Sequence, residues 1–188
     1  DIFVLNFATS ELRGSKAYRQ KPLIRAPGAQ SFPSVSHNGR FLAFQEGEGE
    51  NAAIVLFDLR KQTRRRLTSD GFLQPRLSPV DDRILGIAVT LDGSGGDVCI
   101  LDCGDLSDPR PEVSFAYRGI FPAAMPCWSS DGNSFVAALV NRDRDGDQRL
   151  TPLDGEVLYR FDPVDTAFVY RQLSLGDVSE THPFIASD

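Results

Sequence analysis

The sequence predicts an all-β fold assembled from repeated four-stranded units, and three observations lead there. The first is composition. The 188 residues are 41% hydrophobic and 10% aromatic, which is enough for a real core and argues against disorder. Sixteen glycines and twelve prolines, with hardly any helical periodicity, favour strands and turns. The second is a unit that recurs. Pro126-Cys127-Trp128-Ser129-Ser130-Asp131-Gly132 and the residues up to Leu139 read as a short strand, a tight turn and a second strand. Gly132 permits a positive φ at low cost, and Asp131 can hydrogen-bond its own backbone, so the turn has a mechanism. From Phe135 to Val140 nearly every residue is apolar, as in a strand buried on both faces. Residues 33–44 and 75–87 repeat the unit, and 183–188 begin it again. The third is spacing. The anchor prolines stand at 33, 75, 126 and 183, hence 42, 51 and 57 residues apart. Periods near 40 to 50, each with several short strands, mark the blades of a β-propeller.

Taken in order, residues 1–30 read as the end of a blade, with strands at 2–7 and 22–25. A blade follows over 31–68, with strands near 32–36, 41–45, 52–58 and 64–68 and turns at Asn38-Gly39 and 60–63. The next spans 74–116, with strands near 74–78, 83–90, 97–102 and 112–116. The third spans 124–174, with strands near 124–129, 134–140, 156–162 and 167–173, and 182–188 open a further one. Three complete blades with partial ones at both ends do not close a ring, and open sheet edges are a liability. The expectation is therefore a contiguous part of a larger ring of six to eight blades.

The copies resemble the WD-like repeats of the TolB-type β-propellers, whose blades carry a Pro-x-Trp-Ser-x-Asp-Gly core. Blade-like continuations follow at 54–58, 98–102 and 157–162, each ending in aspartate, and 64–68 resembles that family's closing strand. The resemblance covers most of the chain and specifies architecture. It says far less about function, because the fold is a platform with many uses. In an up-and-down blade the loops joining second to third strands share a face with the connections between blades. Those are the long segments here: 46–51, 91–96, 141–154, 69–73, 118–121 and 175–181. Binding usually sits on the loop-rich face of a rigid scaffold, so that face is the candidate surface.

Several chemistries have little support. The net charge of −6 argues against a general nucleic-acid binder, whose affinity comes mostly from neutralising phosphates. No apolar run is long enough to span a bilayer. The chain starts at Asp1 without methionine, so the missing signal peptide is uninformative. Cys99, Cys103 and Cys127 cannot all pair within one chain. Cys99 and Cys103 are about 13 Å apart along one strand, too far to bridge, whereas Cys127 with either is geometrically open. The bland alternative is small buried side chains. Arg60, Lys61, Arg64, Arg65 and Arg66 form the only basic cluster, read as a solvated outer strand. Glu46, Glu48 and Glu50 alternate with glycines in what reads as a flexible acidic loop. His37 and His182 fall in different blades, and Ser94 lies in a glycine-rich turn without the spacing of a nucleophile elbow. No P-loop or dinucleotide fingerprint is present. Trp128 is expected to be the packing aromatic of its blade.

The motif most suggestive of a ligand lies at 141–154. Asn141, Asp143 and Asp145 alternate, Gly146 offers a sharp turn, and Asp147 offers its carbonyl. Hard cations want several oxygens at once, and alternating carboxylates on a curling loop supply them. Counted from Asn141, the twelfth residue is Pro152, where an EF-hand has glutamate, and Asp154 two residues later is the substitute. TolB-type propellers often carry similar Asp/Asn-Gly-rich loops between these two strands, and the resemblance implies calcium binding here as an expectation. The competing solution is an acidic turn neutralised by Arg142, Arg144 and Arg149.

The expected function is a non-catalytic propeller that mediates protein–protein contacts, as an accessory subunit of a bacterial envelope or membrane-associated assembly. Periplasmic or extracellular placement follows from the resemblance and from the calcium-compatible loop. The alternative is the propeller of a prolyl-oligopeptidase-type serine peptidase whose hydrolase domain lies outside this sequence.

Overall fold

The computed structural model describes residues 1–6, 19–89, 96–119, 121–144, 146–148, 150 and 154–173. Asp145, Ser94, His182 and the unit opening at Pro183 lie outside the described residues. The chain is all-β. Strands β1 (Ile2–Asn6) and β2 (Arg19–Ile24) form a two-stranded antiparallel sheet. Three four-stranded antiparallel meanders follow. The first blade contains β3 (Gln30–Val35), β4 (Phe41–Glu46), β5 (Ala53–Asp58) and β6 (Thr63–Arg66). The second contains β7 (Phe72–Leu77), β8 (Arg83–Val89), β9 (Gly96–Asp102) and β10 (Glu112–Tyr117). The third contains β11 (Ala123–Trp128), β12 (Phe135–Leu139), β13 (Val157–Val164) and β14 (Ala167–Gln172).

The middle strands of the first two blades carry apolar runs because each serves two seams. Side chains alternate across a strand. From β8 and β9, Ile84, Ala88, Cys99 and Leu101 pack with Phe41, Ala43, Ile54 and Leu56 of the first blade. Their neighbours Leu85, Ile87, Val98 and Ile100 turn the other way, onto Trp128, Phe135, Leu139 and Phe161 of the third. On the far side of the first blade, Leu42, Phe44, Val55 and Phe57 pack against Ile2 and Ile24. Burying such side chains contributes about 1.5–3 kcal/mol each, so the seams hold the arc together.

The repeated turn explains its residues. Ser36, Ser78 and Ser129 are buried, and each backbone N–H reaches five residues ahead, to the carbonyls of Phe41, Arg83 and Ser134. Asn38 Oδ1 accepts from the Arg40 amide at 2.9 Å, and Asp131 Oδ1 accepts from the Asn133 amide at 3.0 Å. Gly132 sits at φ +67°, and a Cβ there would come within 2.4 Å of Val80 on the second blade. Its carbonyl accepts from Arg83 at 2.7 Å, so this turn is also an inter-blade contact.

One device has no counterpart in the sequence reading. Phe32, Gln74 and Met125, each directly before an anchor proline, are left-handed at φ 52°, 52° and 50°. The register of each inner strand breaks there, a β-bulge in every blade. The bulges turn two amides toward the preceding blade. Gln45 Oε1 accepts from the Gln74 amide at 3.1 Å, and Gln74 Oε1 accepts from the Met125 amide at 2.6 Å. Two glutamines therefore link β4 of the first blade to β7 of the second, and β7 to β11 of the third.

Candidate functional site

The two ends of the strands carry different connections. Among the described residues, 47–52, 67–71, 118–119, 121–122, 140–144, 146–148, 150 and 154–156 lie at one end. At the other lie 36–40, 59–62, 78–82, 129–134 and the two-residue turn at Asp165, with 103–111 the one long exception. The loop-rich face holds most of the candidate residues, and 140–156 is its longest segment.

Within that segment the hydrogen bonds converge on two carboxylates. Asp143 Oδ1 accepts from the Gly146 amide at 2.7 Å and Oδ2 from the Gln148 amide at 2.8 Å. Asp154, fully buried at the foot of the loop, accepts from the Arg144 amide at 2.7 Å. Gly146 and Gln148 are both left-handed, at φ 79° and 66°, and wind the backbone back on itself. The Arg144 guanidinium lies over Gly155, where a Cβ would meet it at 2.9 Å. Glycine, at φ +81°, is what lets the arginine lie flat. Asn141 Nδ2 donates to the Tyr159 hydroxyl at 2.6 Å. Asp147 is exposed, and no three acidic, histidine or cysteine side chains converge among the described residues. Asp145, Arg149, Thr151 and Pro152 are outside that set.

The other candidates resolve as structure. Trp128 is 6% exposed, stands edge-on to Phe135 and donates its indole N–H to the Arg76 carbonyl at 2.9 Å. Three arginines of the basic cluster are paired: Arg64 with Glu46 at 2.6 Å, Arg65 with Asp108 at 3.2 Å, and Arg66 with Asp70. The acidic segment after Glu46 includes a 3-10 turn at Gly49–Asn51. Asp58, at the end of its strand, accepts from Arg40 at 2.8 Å and from the amides of Arg60 and Lys61. The Arg40 hydrogen bonds outweigh the cost of burial and, with those amides, hold its carboxyl down to about 2. All three cysteines are free thiols, and burial pushes Cys99 and Cys103 up to about 12, where they are inert.

Comparison with protein-family models and with curated proteins finds no match. Solved structures do match. TolB from Acinetobacter baumannii superposes with a TM-score of 0.60 at 20% identity, over 87% of this chain and 36% of that one. A putative TolB from Agrobacterium tumefaciens gives 0.57 at 13% identity, over 78% and 50%. The β-propeller domain of the Trilobed protease from Pyrococcus furiosus gives 0.53 at 14% identity, over 78% and 43%. The chain thus spans between about a third and a half of the length of these structures. The repeated bulge, turn and seam together with these likenesses give the fold of a TolB-type β-propeller, with three full blades among the described residues.

Proposed function

We propose that this chain is a non-catalytic binding module whose loop-rich face contacts a protein partner in a bacterial envelope or membrane-associated assembly. The observation that supports it is the asymmetry of the two faces. One carries most of the longer connections, including the acidic loop, while the other is built mostly of short turns. A rigid scaffold with its variable segments on one side is the usual arrangement for recognition. The TolB-type resemblance is what suggests the periplasm or cell surface, and no helix among the described residues is long and apolar enough to cross a membrane.

The same reading takes the acidic loop as a structural calcium site. The hydrogen bonds onto Asp143 mark the start of the loop's winding. Counted from Asp143, the alternating positions are Asp143, Asp145 and Asp147, the sixth residue is the left-handed Gln148, and the twelfth is Asp154. That is the spacing of a twelve-residue calcium loop, whose sixth residue makes the sharp turn and whose last supplies a carboxylate. In this frame Asn141 precedes the first ligand position, and its Nδ2 donates to Tyr159. Each Asp143 oxygen accepts one backbone N–H and keeps a second lone pair, so Asp143 remains able to ligate. When bound, the ion would supply positive charge that relieves the repulsion among these carboxylates and hold the loop in one shape.

The second reading, a peptidase propeller, draws on the likeness to the Trilobed protease propeller domain. Photo-crosslinking residues placed one at a time at Glu48 and Asp147 on the loop-rich face, and at Asn38 and Asp165 on the turn face, separate the possibilities in the native cell. The module reading expects one envelope protein captured from the first pair only. Capture from the turn face alone, or crosslinks only to a hydrolase domain of the same polypeptide, would overturn it.

A further inference from the structure

The outer rim holds a second surface. Between β10 and β14 lies a cleft of about 390 Å³ walled by Tyr117, Phe121, Phe168 and Tyr170, with Arg118 at its mouth. The walls are fixed by edge-on ring contacts: Tyr117 stands 5.5 Å from Tyr170 and 5.8 Å from Phe161. The Arg118 guanidinium lies 3.6 Å over the Phe115 ring, and its side chain is 65% exposed with Asp97 at 3.8 Å. Along the same rim Val113, Phe115, Val169 and Tyr170 are exposed, the last two by 53% and 50%. Arg171 adds a second exposed cation on β14. Among the described residues no strand pairs with the outer edge of β14. An edge strand offers a row of unpaired N–H and C=O groups, and natural edges are commonly protected by charge. The residues of β14 from Ala167 to Tyr170 carry no charge at all.

We infer that this rim is a docking site for an extended, acidic segment of a partner protein, which adds a strand to the edge of β14 and seats an aromatic side chain in the cleft beside Arg118. Main-chain pairing supplies affinity in such strand addition and side-chain pockets supply specificity. The aromatic walls select a flat apolar ring, because edge-on ring contacts add to simple burial. The cations at the mouth and on the strand select carboxylates over ammonium groups. The inference rests on reading the chain as a protein-binding module, but it uses the rim and not the loop-rich face.

Three capped pentapeptides titrated into the ¹⁵N-labelled chain test it by NMR: Glu-Val-Phe-Val-Asp, Lys-Val-Phe-Val-Lys, and Glu-Val-Ala-Val-Asp. The first should shift amides at 116–119 and 167–172 and bind at least about tenfold more tightly than the others. Val169→Lys, which places a charge on the edge, should weaken it by about tenfold or more. Arg118→Glu should reverse the preference between the acidic and the basic peptide, and it decides the matter if the β14 variant is unfolded by circular dichroism. No saturation at millimolar peptide, equal affinity for all three, or an unreversed preference in Arg118→Glu would overturn the inference. Such a failure alongside crosslinks from the loop-rich face leaves the module reading intact. Rim binding with a silent loop-rich face removes that reading of the loops alone.

Discussion

Strands β6 and β14 occupy the same place, each the outermost strand of its blade, yet their side chains follow opposite rules. Thr63–Arg66 presents three arginines, all exposed and each held by a carboxylate. Ala167–Gln172 presents alanine, valine and aromatics up to Tyr170, with Arg171 and Gln172 at its end, and Val169 and Tyr170 are large apolar groups open to solvent. Sheet pairing is identical in kind, so the backbone does not set the difference. What differs is the use of the edge. A charged edge resists pairing with another chain, whereas an apolar edge invites it. Both contrast with the seams, where the inner and middle strands do the holding.

If seams carry stability and rims carry contact, substitutions should divide accordingly. The largest effect belongs to Trp128. Trp128→Ala removes the ring packed on Phe135 and the donor to the Arg76 carbonyl, and should cost about 3–5 kcal/mol in a urea denaturation series. A variant as stable as the parent would mean that the seam is not where the free energy lies. Next comes Gly132→Ala. A left-handed backbone disfavours any side chain by about 1–2 kcal/mol, and the added methyl would also meet Val80 at 2.4 Å. A loss smaller than that of an exposed rim substitution would break the comparison at its second step.

Asp58 sharpens it through pH. Its carboxyl is held near 2 in the folded chain, below the unfolded value of about 3.9. The folded pKa is depressed, so its contribution is present above the unfolded value and fades as pH falls toward about 2. Asp58→Asn should therefore lie below the parent in melting temperature at pH 6, and the two curves should approach one another near pH 2. Parallel curves over that range would show that the Arg40 contact adds nothing. The smallest stability effects belong to the rim: Val169→Lys and Arg65→Val should each stay within about 0.5 kcal/mol. They should part in solution behaviour, Arg65→Val raising aggregation on concentration by light scattering and Val169→Lys lowering it. Identical behaviour would erase the distinction between the two edges.

What the sequence made legible was whatever a side chain advertises. The apolar runs at 41–44, 84–88 and 135–139 announced strands buried on both faces, and the seams use them that way. Asn38-Gly39 and Asp131-Gly132 announced turns whose side-chain oxygens do cap the backbone. The glutamine links were hidden because their acceptors bond to backbone amides, and nothing about Gln45 or Gln74 marks the partner. The bulges were hidden too: phenylalanine, glutamine and methionine have no liking for positive φ, so only the surrounding blades impose it. The rim cleft was obscured because Phe168 and Tyr170 read equally well as core. In the acidic loop the residue types were legible and the frame was not, since the alternation Asn141, Asp143, Asp145, Asp147 has no obvious first member. The calcium proposal takes Asp143, which accepts from two loop amides, as that first member.

The functional account turns on whether that loop is a cation-held element of the loop-rich face. Isothermal titration of calcium into the metal-stripped chain tests this most directly, with Asp143→Ala as the matched variant. The account predicts one calcium bound per chain, a melting temperature that rises with calcium by mass action, and loss of both in Asp143→Ala while the blades stay folded. No heat of binding at millimolar calcium, or binding that survives Asp143→Ala unchanged, would contradict it.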